Sequence, residues 1–322
     1  MKAAVITGPD QPPVYTDFAD PTAGDGQRIV ELVAAGIHNV VRSRASGRHY
    51  SSSNTWPLIP GLDAVARTDD GRLIYTATQS IPYGTMAQRI PVASAFAIPL
   101  PDGTDPLAVA AGCNPGLASW LPLRKQSDAL ADAGGLGAVL VLGVTGMAGQ
   151  IAVAAALTMG ATLVVGVGRN TEVLDQLTGT HGDRFRAVAL TGSDADSDAI
   201  RDAFDGQPPT TVIDFLWGPV AERTFVALAP LAEGAAVAHI EVGAMAGADA
   251  CVPGALLRSR QYTLSGSGLG SVDTAVLFEG IAEFIGHVAD GTIHVPYRQF
   301  PLSQVARAWE HSGPQRAVVV PD

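Results

Sequence analysis

Cysteine is nearly absent from this 322-residue sequence. Cys113 and Cys251 are far apart and belong to no C-x-x-C or Cys/His cluster. That excludes a disulfide framework and argues against a structural zinc lobe. Positive charge is also scarce. Lys and Arg total 20 against 31 Asp and Glu, for a net charge of −11, and only Lys2 and Lys125 are lysines. An acidic chain without a Lys/Arg run does not favour nucleic acid as a partner. The densest basic stretch, residues 42–48 with Arg42, Arg44 and Arg48, reads as a solvated loop, with a local anion site as the alternative. Long apolar runs are missing, because Gly, Thr or a charge interrupts each one before membrane-spanning length. The opening MKAAVITGPDQPP breaks after a short apolar run and shows no small-residue cleavage site. A soluble cytoplasmic protein with no membrane partner is expected. Charged residues make up only 16% and hydrophobic ones 47%, which excludes disorder and supplies a core.

What is present divides into three zones, and the length suggests about two domains. Over residues 1–112, strand-like runs at 3–7, 28–34, 72–76 and 88–92 are punctuated by turn pairs such as Gly8 with Pro9 and Pro60 with Gly61. Short strands so punctuated predict an antiparallel, barrel-like domain. Over 113–267, strands alternate with helix-length segments. Residues 137–142 are continuously apolar, as a strand buried on both faces requires. Residues 147–159 read as an Ala-rich helix capped by Gly160, and 161–167 as a second buried strand. Helices at 171–177, 197–204 and 220–228 then alternate with strands at 187–190, 211–215 and 235–242. That alternation predicts an α/β fold with a doubly wound parallel sheet. Residues 268–322 hold a helix near 273–289, a short helix near 302–309 and a closing strand at 317–320, expected to return to an earlier sheet.

The segment VLVLGVTGMAGQIAVAAALTMGA places Gly143, Gly146 and Gly149 at G-x-x-G-x-x-G spacing. In a dinucleotide-binding turn one glycine permits the tight turn, one admits the pyrophosphate and one lets the helix pack closely. Backbone N–H groups of Thr145, Met147 and Ala148 and the positive helix end would hold the anion. Here the triplet follows a buried strand, opens a helix and leads into a second strand, which is the context the motif needs. At the end of that second strand, an NAD-dependent chain carries Asp or Glu for the ribose hydroxyl. This sequence has Gly168, Arg169 and Asn170 instead. Glycine leaves room for a 2′-phosphate and arginine offers a charged fork, so NADPH is the expected cofactor.

Further motifs carry a family resemblance across nearly the whole chain. MKAAVIT, PLIPGLDAVART with DGRLIYT, YGTMAQRIPVASAFAIPLPDG, CNPGLASWLPL, the glycine loop and the closing RAVVVP together resemble the zinc-independent quinone oxidoreductases of the medium-chain dehydrogenase/reductase superfamily. The resemblance implies a GroES-like β-rich barrel domain from residues 1–112 and 268–322, with a Rossmann domain at 113–267 inserted between. It also implies a homodimer and NADPH-dependent reduction of a quinone or α,β-unsaturated carbonyl. A zinc-free reductase of an imine, ketone or aldehyde is the nearest alternative. A non-catalytic NADPH-binding sensor or partner protein is an alternative of another class. In zinc-dependent relatives a Cys and a His-Glu pair hold the metal. This sequence places His38 at the first position and Leu62 with Asp63 at the second, so no metal is expected. It also departs from the family's N-P-x-D loop, because Val41 stands in the Asp position.

Without a metal, hydride transfer needs a donor for the developing oxyanion and a proton source. Family position makes residues 38–50 a wall of the substrate pocket. Tyr50 is the leading donor, with an aromatic lid as its alternative role. His38 is a proton donor suited to neutral pH, with a backbone-satisfied core histidine as its alternative. Asn39 and Arg42 are secondary candidates. Asn114 is expected to contact cofactor or substrate, or to cap a helix. Val242, Gly243, Ser267 and Leu269 stand at strand ends that face the nicotinamide in the family. Arg316 resembles a family basic residue near the cofactor, and a surface salt bridge is its alternative.

Overall fold

A computed structural model describes residues 1–322 apart from Gln79 and the side chain of Leu269. The chain forms two units, Met1–Pro115 with Ile281–Asp322 and Gly116–Gly280.

In the second unit the strand Ala138–Leu142 is buried at every position. Its β-branched Val139 and Val141 suit an extended backbone. Leu163–Gly168 pairs with it on one side and Thr211–Asp214 on the other, both parallel. Six parallel strands lie in the order Phe185–Ala189, Leu163–Gly168, Ala138–Leu142, Thr211–Asp214, Ala236–Glu241 and Gln261–Gly266. Parallel pairing requires crossover connections, and helices such as Met147–Thr158, Thr171–His181 and Gly218–Leu231 provide them. Strand order reverses at Ala138–Leu142. The glycine loop therefore leaves the sheet at the switch point, where ligands of open α/β sheets bind. Leu140, Leu142, Val165, Val167, Val212, Phe225 and Leu228 belong to one buried cluster.

The hub of the first unit is the strand Gln27–Gly36, antiparallel to Asp63–Arg67, Arg89–Ala93 and Arg316–Val320. Beyond these, Leu73–Ala77 and Ile98–Pro99 extend one side and Tyr297–Pro301 the other, the last by a parallel pairing. A separate antiparallel pair joins Lys2–Val5 to Val14–Asp17. The closing strand returns as expected, with Val318 opposite Gly36 and Val319 opposite Ala35. Ile37, Leu62, Ala64, Met86, Ile90 and Val319 share this unit's core.

Two segments differ from expectation. The arginine-rich stretch is not a loop. It contains the helix Asn39–Ala45, in which Val41 and Ala45, four residues apart, bury one face. The segment around Asn114 does not open a helix but lies inside one, Pro106–Ala129. Pro115 and Pro122 disguise that helix, since an interior proline removes a backbone donor and reads as a break. Among the described residues no helix is long and apolar enough to cross a membrane.

Candidate functional site

The glycine loop assigns its three glycines different tasks. Gly143 has φ +91°, which only glycine adopts without strain. Its N–H and that of Val144 both donate to the Val167 carbonyl, at 2.9 and 3.0 Å, and tie the turn to the neighbouring strand. At Gly149 an added Cβ would fall 2.4 Å from the Gly143 oxygen and 2.6 Å from the Val144 Cα, so this glycine is required by packing. Gly146 is different. It is exposed, its φ is an ordinary −82°, and an added Cβ would meet only the Gly143 oxygen at 3.6 Å. Nothing inside the unit demands a bare backbone there, which fits a position that an outside group approaches.

The first helical bond beyond this turn runs from Gln150 N–H to the Gly146 carbonyl. The N–H groups of Met147, Ala148 and Gly149 have no backbone acceptor among the described residues. Such a helix start is an anion site by charge and geometry. The Met147 side chain is buried, so only its backbone faces outward.

At the end of the second strand the expected reason for Gly168 is corrected. A Cβ there would fall 2.5 Å from Thr145 Cγ2, so the space is already filled by the Thr145 methyl. Gly168 serves the packing of the loop, and the same crowding keeps a carboxylate side chain out. Arg169 is exposed and has no hydrogen bond or ion pair among the described residues. The Asn170 side-chain oxygen accepts from Val173 N–H at 3.2 Å and caps the helix Thr171–His181.

The other cofactor candidates are already engaged within the unit. The N–H groups of Val242 and Gly243 both donate to the Asp214 carbonyl, at 2.7 and 3.2 Å. Ser267 donates its N–H to the Glu241 carbonyl and its hydroxyl to the Ala118 carbonyl. These donors are therefore engaged within the unit, while the carbonyls of Val242 and Gly243 accept no backbone hydrogen bond among the described residues. The Leu269 side chain lies outside the described residues. Beneath these strand ends is a buried network that the sequence did not reveal. One Asp214 carboxylate oxygen accepts from Leu216 and Trp217 N–H, and the other lies 3.0 Å from His239 Nε2. His239 Nδ1 in turn meets the Tyr262 hydroxyl at 2.6 Å. Polar residues inside otherwise apolar strands were the signal for it.

In the first unit, His38 precedes the helix Asn39–Ala45 and the residue is 2% exposed. The ring lies against Gly36, where a Cβ would fall 2.5 Å from His38 Cε1. Nε2 stands 3.4 Å from Asp63 Oδ2, beyond ordinary hydrogen-bond reach. The Tyr75 hydroxyl donates to the same oxygen at 3.1 Å. Asp63 and Tyr75 share a face because Val65 pairs with Tyr75 across antiparallel strands, which sets Asp63 diagonally opposite. Cys113 is buried beside them. Burial, and then the Asp63 charge, push the Tyr75 hydroxyl and the Cys113 thiol well above their ordinary values.

Three further expectations change. Tyr50 is 86% exposed and stacks on His49 at 4.1 Å. Its hydroxyl lacks the enclosure and fixed direction an oxyanion donor needs. Among the described residues Arg316 makes no surface salt bridge. It is largely buried, donates to the Ile37 carbonyl at 3.2 Å, and is lowered to about 10 by burial and by nearby Arg42. Arg42 itself is occupied, donating to the carbonyls of Trp309 and His311. Asn114 is half-buried inside its helix and caps nothing, whereas Asn39 is exposed in the first turn of its own. Among the described residues, no group of three or more His, Cys, Asp or Glu side chains is arranged to hold a metal ion.

A six-stranded parallel sheet with its glycine loop at the switch point, placed in sequence between the two parts of a β-rich unit, is a fold shared with solved quinone oxidoreductases. The chain is similar to such proteins in sequence and in structure. It is 27% identical over 362 aligned positions to the probable NADPH-dependent quinone reductase tdiC of Emericella nidulans, covering 100% of both chains. The quinone oxidoreductase of Thermus thermophilus superposes with TM-score 0.77 at 23% identity, over 99% of this chain and 100% of that one. The Escherichia coli quinone oxidoreductase, solved with NADPH, gives TM-score 0.80 at 18% identity over 100% of both. No family model matches the chain.

Proposed function

We propose that this protein is an NADPH-dependent oxidoreductase that reduces a quinone or an α,β-unsaturated carbonyl without zinc. The observation that carries the reading is Gly146: exposed, unstrained and not required by packing, beside three N–H groups at a helix start that have no backbone acceptor among the described residues. A glycine there is explained by a phosphate that must reach the backbone. The cofactor named for the Emericella and Escherichia coli proteins agrees with that cradle.

The loop residues Thr145 to Gly149 bind the pyrophosphate. Arg169, free at the strand end, binds the 2′-phosphate, and the Thr145 methyl against Gly168 denies that place to the carboxylate of an NAD-type site. Bound NADPH supplies a hydride. His38 holds the matching proton, so the acceptor gains one hydride and one proton. Asn39 and Asn114 serve acceptor or cofactor binding, and Arg316 steadies the backbone at Ile37 next to His38. A cytoplasmic homodimer follows from the family resemblance, and light scattering at twice the chain mass checks it.

The test is NADPH consumption across a panel of quinones, enones, imines and ketones. Turnover confined to quinones or enones supports the proposal. Turnover confined to imines or ketones reassigns the acceptor. Tight NADPH binding with no turnover makes the protein a sensor or partner protein instead.

A further inference from the structure

His38 Nδ1 and Nε2, Asp63 Oδ1 and Arg316 Nε are buried without a hydrogen-bond partner among the described residues. Buried polar atoms are nearly always satisfied, so a cluster of open ones marks a place that a ligand or a small closure completes. The geometry indicates which atom each serves. His38 Nε2 already faces Asp63 at 3.4 Å, and a closure of about 0.5 Å brings that pair to hydrogen-bond distance, as unliganded catalytic pairs often require. Gly36, which has no Cβ, leaves the room that the ring occupies. Tyr75 holds Asp63 from behind. Nδ1 has no hydrogen-bond partner among the described residues.

We propose that Asp63 and Tyr75 are positioning residues for His38: Asp63 accepts a hydrogen bond from Nε2–H, which keeps that proton on the ring, so that Nδ1 is the nitrogen that passes a proton to the acceptor's oxygen. The role rests on the reductase reading above. As the acceptor's carbon gains the hydride, its oxygen gains charge. The His38 Nδ1–H bond breaks, the O–H bond forms, and the electron pair stays on Nδ1. His38 ends neutral with its proton on Nε2, and Asp63 stays ionised throughout. The charged and titratable groups around the ring are Asp63 and Tyr75 on adjacent strands, Cys113 on the helix Pro106–Ala129, Arg42 on the following helix and Arg316 on the closing strand. Asp63 is the carboxylate among them.

The test is 1H–15N NMR of the histidine rings in the cofactor-free full chain, with His38 assigned by its loss in His38→Gln. Neutral His38 is expected to carry its proton on Nε2, and the Nδ1–H tautomer would overturn the proposal. Asp63→Asn should lower the His38 titration midpoint by about one to three pH units. The falling high-pH limb of kcat should move with it while NADPH affinity is unchanged. Tyr75→Phe removes a donor that shares the Asp63 charge, so the midpoint should hold or rise. A midpoint unmoved by Asp63→Asn, or lowered equally by both variants, contradicts the proposal. Should Asp63→Asn not fold, the wild-type tautomer and Tyr75→Phe still decide. Should the wild type reduce no acceptor, the reductase reading fails, while the tautomer and titration still report on the pair.

Discussion

Replacing Gly146 with alanine separates ligand binding from folding, and Gly149→Ala is its internal control. At Gly146 the new methyl meets only the Gly143 oxygen at 3.6 Å, an ordinary contact, and the backbone suits alanine. The cost to the free protein is the exchange of a glycine N-cap for a poor one, up to about 1 kcal/mol. For a chain of this kind that lowers the apparent melting temperature by about 2–4 °C. Were the cofactor bound, the same methyl would stand between its phosphate and the helix N–H groups. Losing one charge-assisted hydrogen bond costs about 1.5–3 kcal/mol, or roughly tenfold to 150-fold in NADPH affinity. Gly149→Ala places its methyl 2.4 Å from the Gly143 oxygen, a backbone atom that cannot step aside. Overpacking of this kind costs about 1–3 kcal/mol in the free protein. Calorimetric titration with NADPH and thermal melts of both variants give the comparison. Gly146→Ala with wild-type affinity, or Gly149→Ala with wild-type stability, refutes the division of labour among the glycines.

Arg169→Ala should weaken NADPH by tenfold or more while leaving NADH nearly unchanged, on the scale of one charged hydrogen bond of about 1.5–3 kcal/mol. Equal loss for both in titrations removes the 2′-phosphate assignment. Cys113 is buried with its thiol pushed up, whereas Cys251 is exposed, so a thiol reagent at neutral pH should consume one thiol in the native protein and both after denaturation. Asp214→Ala strips acceptors from Leu216, Trp217 and His239 at once and should cost about 3–5 kcal/mol in chemical denaturation. Glu241 is raised above its ordinary value by burial and then by the Asp214 charge. Its ionised form therefore costs stability, a penalty absent below about pH 4.5 and growing as pH rises through the raised value. Glu241→Gln should accordingly be the more stable protein at neutral pH, with the gap closing in acid, as melts across pH would show.

Much of the second unit was legible because its signals are local. The buried run at 137–142, the glycine spacing and the Ala-rich helix each follow from residues near one another in sequence. The identity of residue 168 was also read rightly as a missing carboxylate, although its reason is the Thr145 methyl, which only the folded loop reveals. The first unit's site was less legible. His38 and Asp63 could be singled out by family position, but Tyr75 and Cys113 join them through strand register and a helix that two prolines concealed. Tyr50 misled for the opposite reason. It follows His38 closely in sequence, yet the intervening helix Asn39–Ala45 leaves it exposed on the surface. The Asp214, His239 and Tyr262 network spans three parallel strands, and only their register brings it together.

The activity proposed for this chain is NADPH-dependent reduction of a quinone or enone. The most direct measurement is the rate of NADPH consumption by the purified wild type with a series of quinones and enones, beside NADH as the alternative reductant. Turnover is expected with NADPH, much weaker turnover with NADH, and loss of the rate in Gly146→Ala at limiting cofactor. Saturable NADPH binding with no consumption on any quinone or enone would contradict it.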